Sequence, residues 1–139
     1  MNSTEAPPPN VWPSLRARDP RALIDFLVAA FGFVENVAYE DEGVIHHAQL
    51  DWPDGGGVML GAERPGTPWT KQPGTGASYV VTSDADALHS RAIAAAAEII
   101  EGLVDRDYGS RDFIARDPEG NIWSFGTYRG EMRTPREDR

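Results

Sequence analysis

The chain has no cysteine among its 139 residues, which excludes disulfides, thiolate metal sites and cysteine nucleophiles. Positive charge is also scarce. Thirteen Lys and Arg against 22 Asp and Glu leave a formal net charge of −9. A nucleic-acid backbone needs clustered cations, so nucleic acid is not expected as a partner. No apolar run approaches the ~20 residues that span a bilayer. The opening M-N-S-T-E-A-P-P-P-N is not a signal peptide. A cytoplasmic protein without membrane contact is therefore expected. What is present fits one globular domain: 40% of the residues are hydrophobic, and a chain of this length buries roughly two-thirds of its unfolded surface.

The best-formed local signal is Y-G-S-R-D-F-I-A-R-D-P-E-G-N-I-W-S-F-G-T-Y, residues Tyr108–Tyr128. It predicts a β-hairpin with strands over Arg111–Arg116 and Ile122–Thr127. Pro118 presets its own φ, and Gly120 and Asn121 tolerate a turn. Alternation puts Trp123 and Phe125 on one face and Ile122, Ser124 and Gly126 on the other. The first face is core and the second is nearly bare.

The same pattern occurs earlier. A shift of 65 residues lays Asp51–Gly61 (D-W-P-D-G-G-G-V-M-L-G) on Arg116–Gly126, and Arg16–Leu23 on Val81–Leu88. Each half then reads as strand–helix–strand–strand–strand. In the first half the strands are expected over 11–17, 33–40, 44–50 and 58–61. Its helix is capped by Asp19-Pro20 and stopped by Gly32. In the second half a strand over Ala77–Thr82 leads to a helix capped by Asp84 that runs to about Glu98. Its inner stripe is Leu88, Ala92, Ala95 and Ile99. The expected organisation is a disordered tail over 1–10, modules over 11–62 and 77–128, a Pro/Gly/Thr-rich linker over 63–76, and a charged tail over 129–139.

Two βαβββ modules in a chain of this length resemble the vicinal oxygen chelate superfamily, which holds glyoxalase I, extradiol dioxygenases, fosfomycin-resistance enzymes and bleomycin-resistance proteins. The resemblance rests on V-W-P-S-L-R-A-R-D-P-R-A-L-I-D-F-L-V-A-A-F-G-F and on the Tyr108–Tyr128 hairpin, which is similar to the bleomycin-resistance branch. It implies an α+β fold, with a curled mixed sheet around a cleft, helices on the outer face, and a homodimer. Metal-dependent members place His or Glu on the inner faces of the first and last strand of each module. The corresponding positions here are Trp12, Met59, Ser78 and Ser124. None is a credible ligand for a divalent metal, so the family's metal chemistry is not carried over. No cofactor and no catalytic residue are assigned.

The candidates that remain suit binding. Trp12 is either a stacking platform for a flat ligand or a plug in an unused cavity. Arg16 pairs with an acidic ligand group or, preferentially, with a local carboxylate such as Asp112. His46 and His47 point to opposite faces, with His46 assigned to the helix-covered side and His47 to the cleft beside Ile45 and Gln49. Trp69 and Trp52 are loop aromatics. Trp69 is counted with the ligand, whereas dimer contact or packing is preferred for Trp52. Tyr108, Asp112 and Ile114 are placed at the cleft on the seventh strand. The expected ligand-binding set is Trp12, Arg16, His47, Gln49, Met59, Trp69, Ser78, Tyr108, Asp112, Ile114 and Ser124. The expected partner is a small aromatic or amphipathic molecule, an antibiotic or related natural product, sequestered in clefts of a homodimer. The competing expectation is a metal-independent isomerase or lyase with His47 or Asp112 as base.

Overall fold

The structure is a computed structural model that describes residues 8–69 and 71–133. The expectations for the terminal tails fall largely outside these residues. The first half builds β1 (Ser14–Ala17), α1 (Pro20–Phe26), β2 (Val34–Asp41), β3 (Val44–Asp51) and β4 (Gly57–Ala62). The second builds β5 (Ala77–Val81), α2 (Ala85–Ala94), β6 (Glu98–Asp105), β7 (Arg111–Arg116) and β8 (Ile122–Gly126). Each half forms a four-stranded mixed sheet, in the orders β1-β4-β3-β2 and β5-β8-β7-β6. The fold is α+β with two similar modules. In both, the first strand pairs in parallel with the last and the other pairings are antiparallel.

The repeat extends to the turns. In the first hairpin Trp52 N–H donates to Gly56 O at 2.9 Å and Gly55 N–H donates to Trp52 O at 2.9 Å. In the second, Asp117 and Asn121 take the roles of Trp52 and Gly56, at 3.0 Å for each bond. Gly55 and Gly120 supply the positive φ, at 118° and 112°.

Helix α1 starts as expected: the Asp19 carboxylate accepts from Ala22 N–H, and Pro20 stands in the first turn. It then widens into a π-helical turn over Leu27–Phe31, and Gly32 closes it in the left-handed conformation at φ 89°. Leu27, Ala30 and Phe31 are all buried in that turn. Helix α2 is shorter than the alanine run suggests. It ends at Ala94, and Ala97 N–H returns to Ala92 O with Ala96 at φ 63°. Ile99 belongs to β6, not to the helix stripe. Alanine favours helix wherever packing allows, so composition did not mark this end.

Both helices lie between the sheets. The α1 face packs on Leu15, Ala48, Leu50 and Leu60 of the first sheet, in one core with Phe113, Trp123 and Phe125 of the second. The Phe31 ring lies 4.6 Å from Phe125 and 5.8 Å from Trp123, centre to centre. The Trp52 ring packs at a tilt, 4.9 Å from Phe33 and 6.0 Å from Phe125 centre to centre, and its indole N–H donates to Val81 O at 3.0 Å. Each such aromatic pair adds about 0.5–1.5 kcal/mol beyond area burial. Two further polar clips join the modules. Arg91 of α2 donates to Ala29 O and Val28 O, both at 3.0 Å, which satisfies carbonyls at the end of the first helix. Glu119 accepts from Arg18 and Asp19 N–H at 2.9 and 2.8 Å.

With the covered faces turned toward one shared core, the uncovered faces point away from each other. Those two open faces carry all but one of the site residues expected from the strands.

Candidate functional site

Strand register sorts the residues. On the first sheet Val58 and Leu60 are buried in the core, so Gly57, Met59 and Gly61 face outward. Ser14 pairs with Met59 and Arg16 with Gly61, and parallel partners point the same way. Trp12 continues this row. Its ring borders Gly57, where a Cβ would fall 2.9 Å from the indole. Its N–H donates to Pro9 O at 2.9 Å. Tyr39 pairs with His47, and their rings stack at 6.0 Å and 17°. Gln49 donates to the Asp51 carboxylate at 2.8 Å, which Asn36 also reaches at 2.8 Å.

A register shift in β3 corrects two sequence assignments. Glu40 pairs with Ile45 and Tyr39 with His47, so His46 is an extra, bulged residue. His46 is exposed, not on the covered face, and Ile45 is buried in the core, not in the cleft. The bulge has a use. The His46 carbonyl rises beside Gly61, where a Cβ would sit 2.1 Å from that oxygen and 3.1 Å from Arg16 Nη1. Glycine therefore leaves room beside the Arg16 guanidinium.

Arg16 is only 8% exposed. Its Nη1 donates to Ala62 O and its Nη2 to Ser14 Oγ, each at 3.2 Å. Among the described residues it has no carboxylate partner, which overturns the preferred pairing with Asp112. The two residues lie on different open faces. Burial, and then the positive charge of Arg64, hold the Arg16 pKa below its ordinary value. Trp69 lies over the guanidinium, 5.8 Å from its carbon to the ring centre.

The open face of the second sheet is aromatic. Ala77, Tyr79 and Val81 pair with Ile122, Ser124 and Gly126, opposite in sense to the buried Trp123 and Phe125. Tyr79 is thus an open-face residue that the sequence assignment missed, while Ser78 pairs with Trp123 on the covered side. Ser78 instead lines a cavity of about 390 Å³ between the modules, with Phe33, Trp52 and Trp123. The 65-residue shift held the signal, since it lays Tyr79 on Ser14 and Ser78 on Pro13.

Tyr79, Tyr108 and Tyr128 surround a hollow of about 370 Å³. Tyr79 OH donates to Tyr128 O at 2.6 Å, and the Tyr108 and Tyr128 rings meet edge-to-face at 5.5 Å. Beneath them Asp112 is buried and held by three donors: Arg106 Nε and Tyr108 OH, both at 3.3 Å, and Ser110 Oγ. Arg106 also pairs with Glu101. Gly126 is bare because a Cβ there would sit 2.1 Å from Asp112 Oδ1 and 2.6 Å from Tyr79 OH. Ile114 and Ser124 are paired neighbours on this face.

The structure thus brings Trp12, Arg16, His47, Gln49 and Met59 to one open face, with Trp69 above it. Tyr108, Asp112, Ile114 and Ser124 lie on the other, and Ser78 joins neither. Among the described residues no three His, Asp or Glu side chains converge as a metal-binding group. No helix among them is long and apolar enough to cross a membrane.

The tyrosines give a pH test. Burial, then the charge of Asp112, pushes the Tyr108 phenol above its ordinary value, and a hydrogen bond to Glu131 chiefly does so for Tyr128. The fold therefore favours both protonated forms. That stabilisation is complete below the unfolded phenol value of about 10 and is lost as pH rises through the raised values. Native phenolate absorbance should rise at higher pH than in urea for two of the four tyrosines. Superimposable native and unfolded curves would contradict this.

Comparison with known proteins places this geometry. Residues 11–125 match the family described as Glyoxalase/Bleomycin resistance protein/Dioxygenase superfamily. A Mycobacterium bovis protein is 34% identical over 132 residues, covering 85% of this chain and 82% of its own. The crystal structure of TioX from Micromonospora sp. ML1 is similar at TM-score 0.69 and 36% identity, covering 81% of this chain and 93% of that one. TnmS3, an antibiotic binding protein from Streptomyces sp. CB03234, shares the fold at TM-score 0.65 and 21% identity, over 81% of this chain and 88% of its own.

Proposed function

The chain belongs to the Glyoxalase/Bleomycin resistance protein/Dioxygenase superfamily, and we propose that within it this protein binds a small aromatic or amphipathic molecule, an antibiotic or related natural product, and sequesters it in the cytoplasm. The observation that carries the proposal is the tyrosine-lined open face of the second sheet. Tyr79 is 45% exposed and Tyr108 59% exposed, around a hollow of about 370 Å³. Large aromatic rings left in water on a sheet face are binding surface more often than packing surface.

The open faces point away from each other, so a cleft walled by two sheets requires a second copy. A homodimer is therefore part of the proposal. One open face from each chain would enclose the ligand and remove the exposed rings from water. Affinity would come from apolar burial and stacking, with polar groups setting orientation. Of the side chains considered as bases, Asp112 is buried and already accepts from three donors. This favours binding over turnover.

Titration with a panel of planar aromatic antibiotics, followed by calorimetry and thermal shift, tests the proposal. At least one compound should bind and be recovered unchanged. Tyr108→Ala should weaken it about tenfold, as expected for an aromatic contact, with a fall in melting temperature from the donor that Asp112 loses, whereas Tyr108→Phe keeps the ring and should bind almost as tightly as the wild type. No binding across the panel, or conversion of a bound compound to a new product, would defeat the proposal.

A further inference from the structure

A buried cation without an anion is unusual. Removing a charge from water costs several kcal/mol, so buried charges are ordinarily paired and hydrogen-bonded. Arg16 is 92% buried by the 8% exposure it retains, yet among the described residues it meets no carboxylate. A guanidinium has five N–H donors. Two atoms, Nη1 and Nη2, each make one bond, and Nε is buried with no partner. Two neighbours fail to relieve it. Arg64 adds repulsion, and Glu63, the carboxylate beside it in sequence, forms no ion pair with either arginine.

The surroundings are also specialised. The bulge at His46 and the bare Gly61 create the space in which the guanidinium lies. Ser14 Oγ stands at its end and can rotate its proton toward an anion. Trp69 roofs it at 5.8 Å, near the outer limit of a cation–π contact, and is itself 53% exposed. A planar fork of donors beneath an indole matches a planar acid joined to a flat ring.

We propose that Arg16 is an anion-binding residue on the open face of the first sheet, and that the ligand it takes is an aryl carboxylate. The acid group seats on the unspent donors of Arg16 with Ser14, and the ring stacks beside Trp69. The proposal rests on the binding function above and narrows its ligand class. It also explains how an acidic protein holds an acidic ligand: the attraction is local, from Arg16 and Arg64, and opposes the net charge of −9.

The experiment uses naphthoate and naphthamide, which share ring and shape and differ in charge. Calorimetric titration of the wild-type protein should show naphthoate binding at least tenfold more tightly. The preference should shrink with added salt, and should disappear in Arg16→Gln, whose fold is checked by its melting temperature. Because the wild-type comparison stands alone, a misfolded variant does not remove the test. Equal affinity for the two compounds would overturn the proposal and leave the wider binding function standing. So would failure of both compounds while the antibiotic panel binds. If no compound of either set binds, both proposals fall. A preference retained in a folded Arg16→Gln would show that Arg16 serves only to hold Ala62 O and Ser14.

Discussion

Replacing Asp117 by alanine is expected to cost the folded state about 4 kcal/mol, because one buried carboxylate organises both the second hairpin and the floor of the core. Its Oδ1 accepts N–H from Glu119, Gly120 and Asn121 at 2.9, 3.0 and 3.0 Å. Its Oδ2 accepts from Asn121 Nδ2 at 2.9 Å and Trp123 Nε1 at 2.8 Å. Asp117, Asn121 and Trp123 are 4%, 2% and 1% exposed, so water cannot take over once the acceptor is gone. The three turn amides lie nearer the surface and recover part of their loss. The indole N–H and the Asn121 amide do not, and each unsatisfied buried donor costs about 1–3 kcal/mol. Asn121 in turn accepts Gly76 N–H at 2.9 Å, so the damage reaches the start of the second module. Asp117→Asn should cost less, about 2 kcal/mol, since one oxygen survives but an amide N–H₂ must then face a donor. Urea unfolding measures both. A loss below about 1.5 kcal/mol for Asp117→Ala would show that the network relaxes or rehydrates.

The sequence showed the hairpin but not this depth. D-P-E-G-N is a turn signal by its proline and glycine, and Trp123 and Phe125 are core by alternation. Nothing in the spacing says that the first residue of the turn reaches a ring six positions on. The repeat makes the point sharper. A shift of 65 residues lays Trp52 on Asp117, in hairpins with the same backbone bonds. One module fills the position with an indole that packs into the shared core. The other fills it with a carboxylate that satisfies an indole. Backbone periodicity preserves the position and leaves its chemistry open.

Alternation worked wherever the strands were regular and failed where they were not. Trp123 and Phe125 are buried in the core, as expected, and Phe113 and Ala115 of the paired strand join them. In β3 the bulge moved Ile45 inward and left His46 exposed. No residue type in V-I-H-H-A-Q-L announces an inserted position, because the partner strand creates it. The resemblance to metal-binding relatives points to Ser78, whereas the internal repeat points to Tyr79, and the register of β5 on β8 agrees with the repeat. Alternation along β1 puts Arg16 on its open face, but the carboxylate expected beside it, Asp112, lies on the other sheet. Which open face lies near which depends on how the modules pack, and local pattern carries no information on that.

Two bare glycines set the second large effect. Gly61→Ala should destabilise by about 3 kcal/mol, and Gly126→Ala by about half as much, although the two positions correspond in the repeat. At both, the backbone is extended and the obstacle is space. At Gly61 the new Cβ meets a main-chain oxygen, His46 O, at 2.1 Å, and the carbonyl carbon at 2.7 Å. That oxygen belongs to the bulge between paired strands, so relief requires moving β3 against β4 and straining their ladder. At Gly126 the obstacles are side-chain atoms, Asp112 Oδ1 at 2.1 Å and Tyr79 OH at 2.6 Å. Tyr79 can swing outward at the loss of one hydrogen bond, and Asp112 can tilt within its three donors. Both variants gain the small unfolded-state benefit of alanine over glycine, about 0.4–1 kcal/mol, which the estimates include. The functional consequences separate as well. Gly61→Ala should displace the Arg16 guanidinium and abolish charge discrimination between naphthoate and naphthamide. Gly126→Ala should leave that discrimination intact and weaken ligands that rely on the tyrosine face. Equal destabilisation by the two variants would mean that the bulge yields as readily as a side chain, and that the space at Gly61 is not rigidly held.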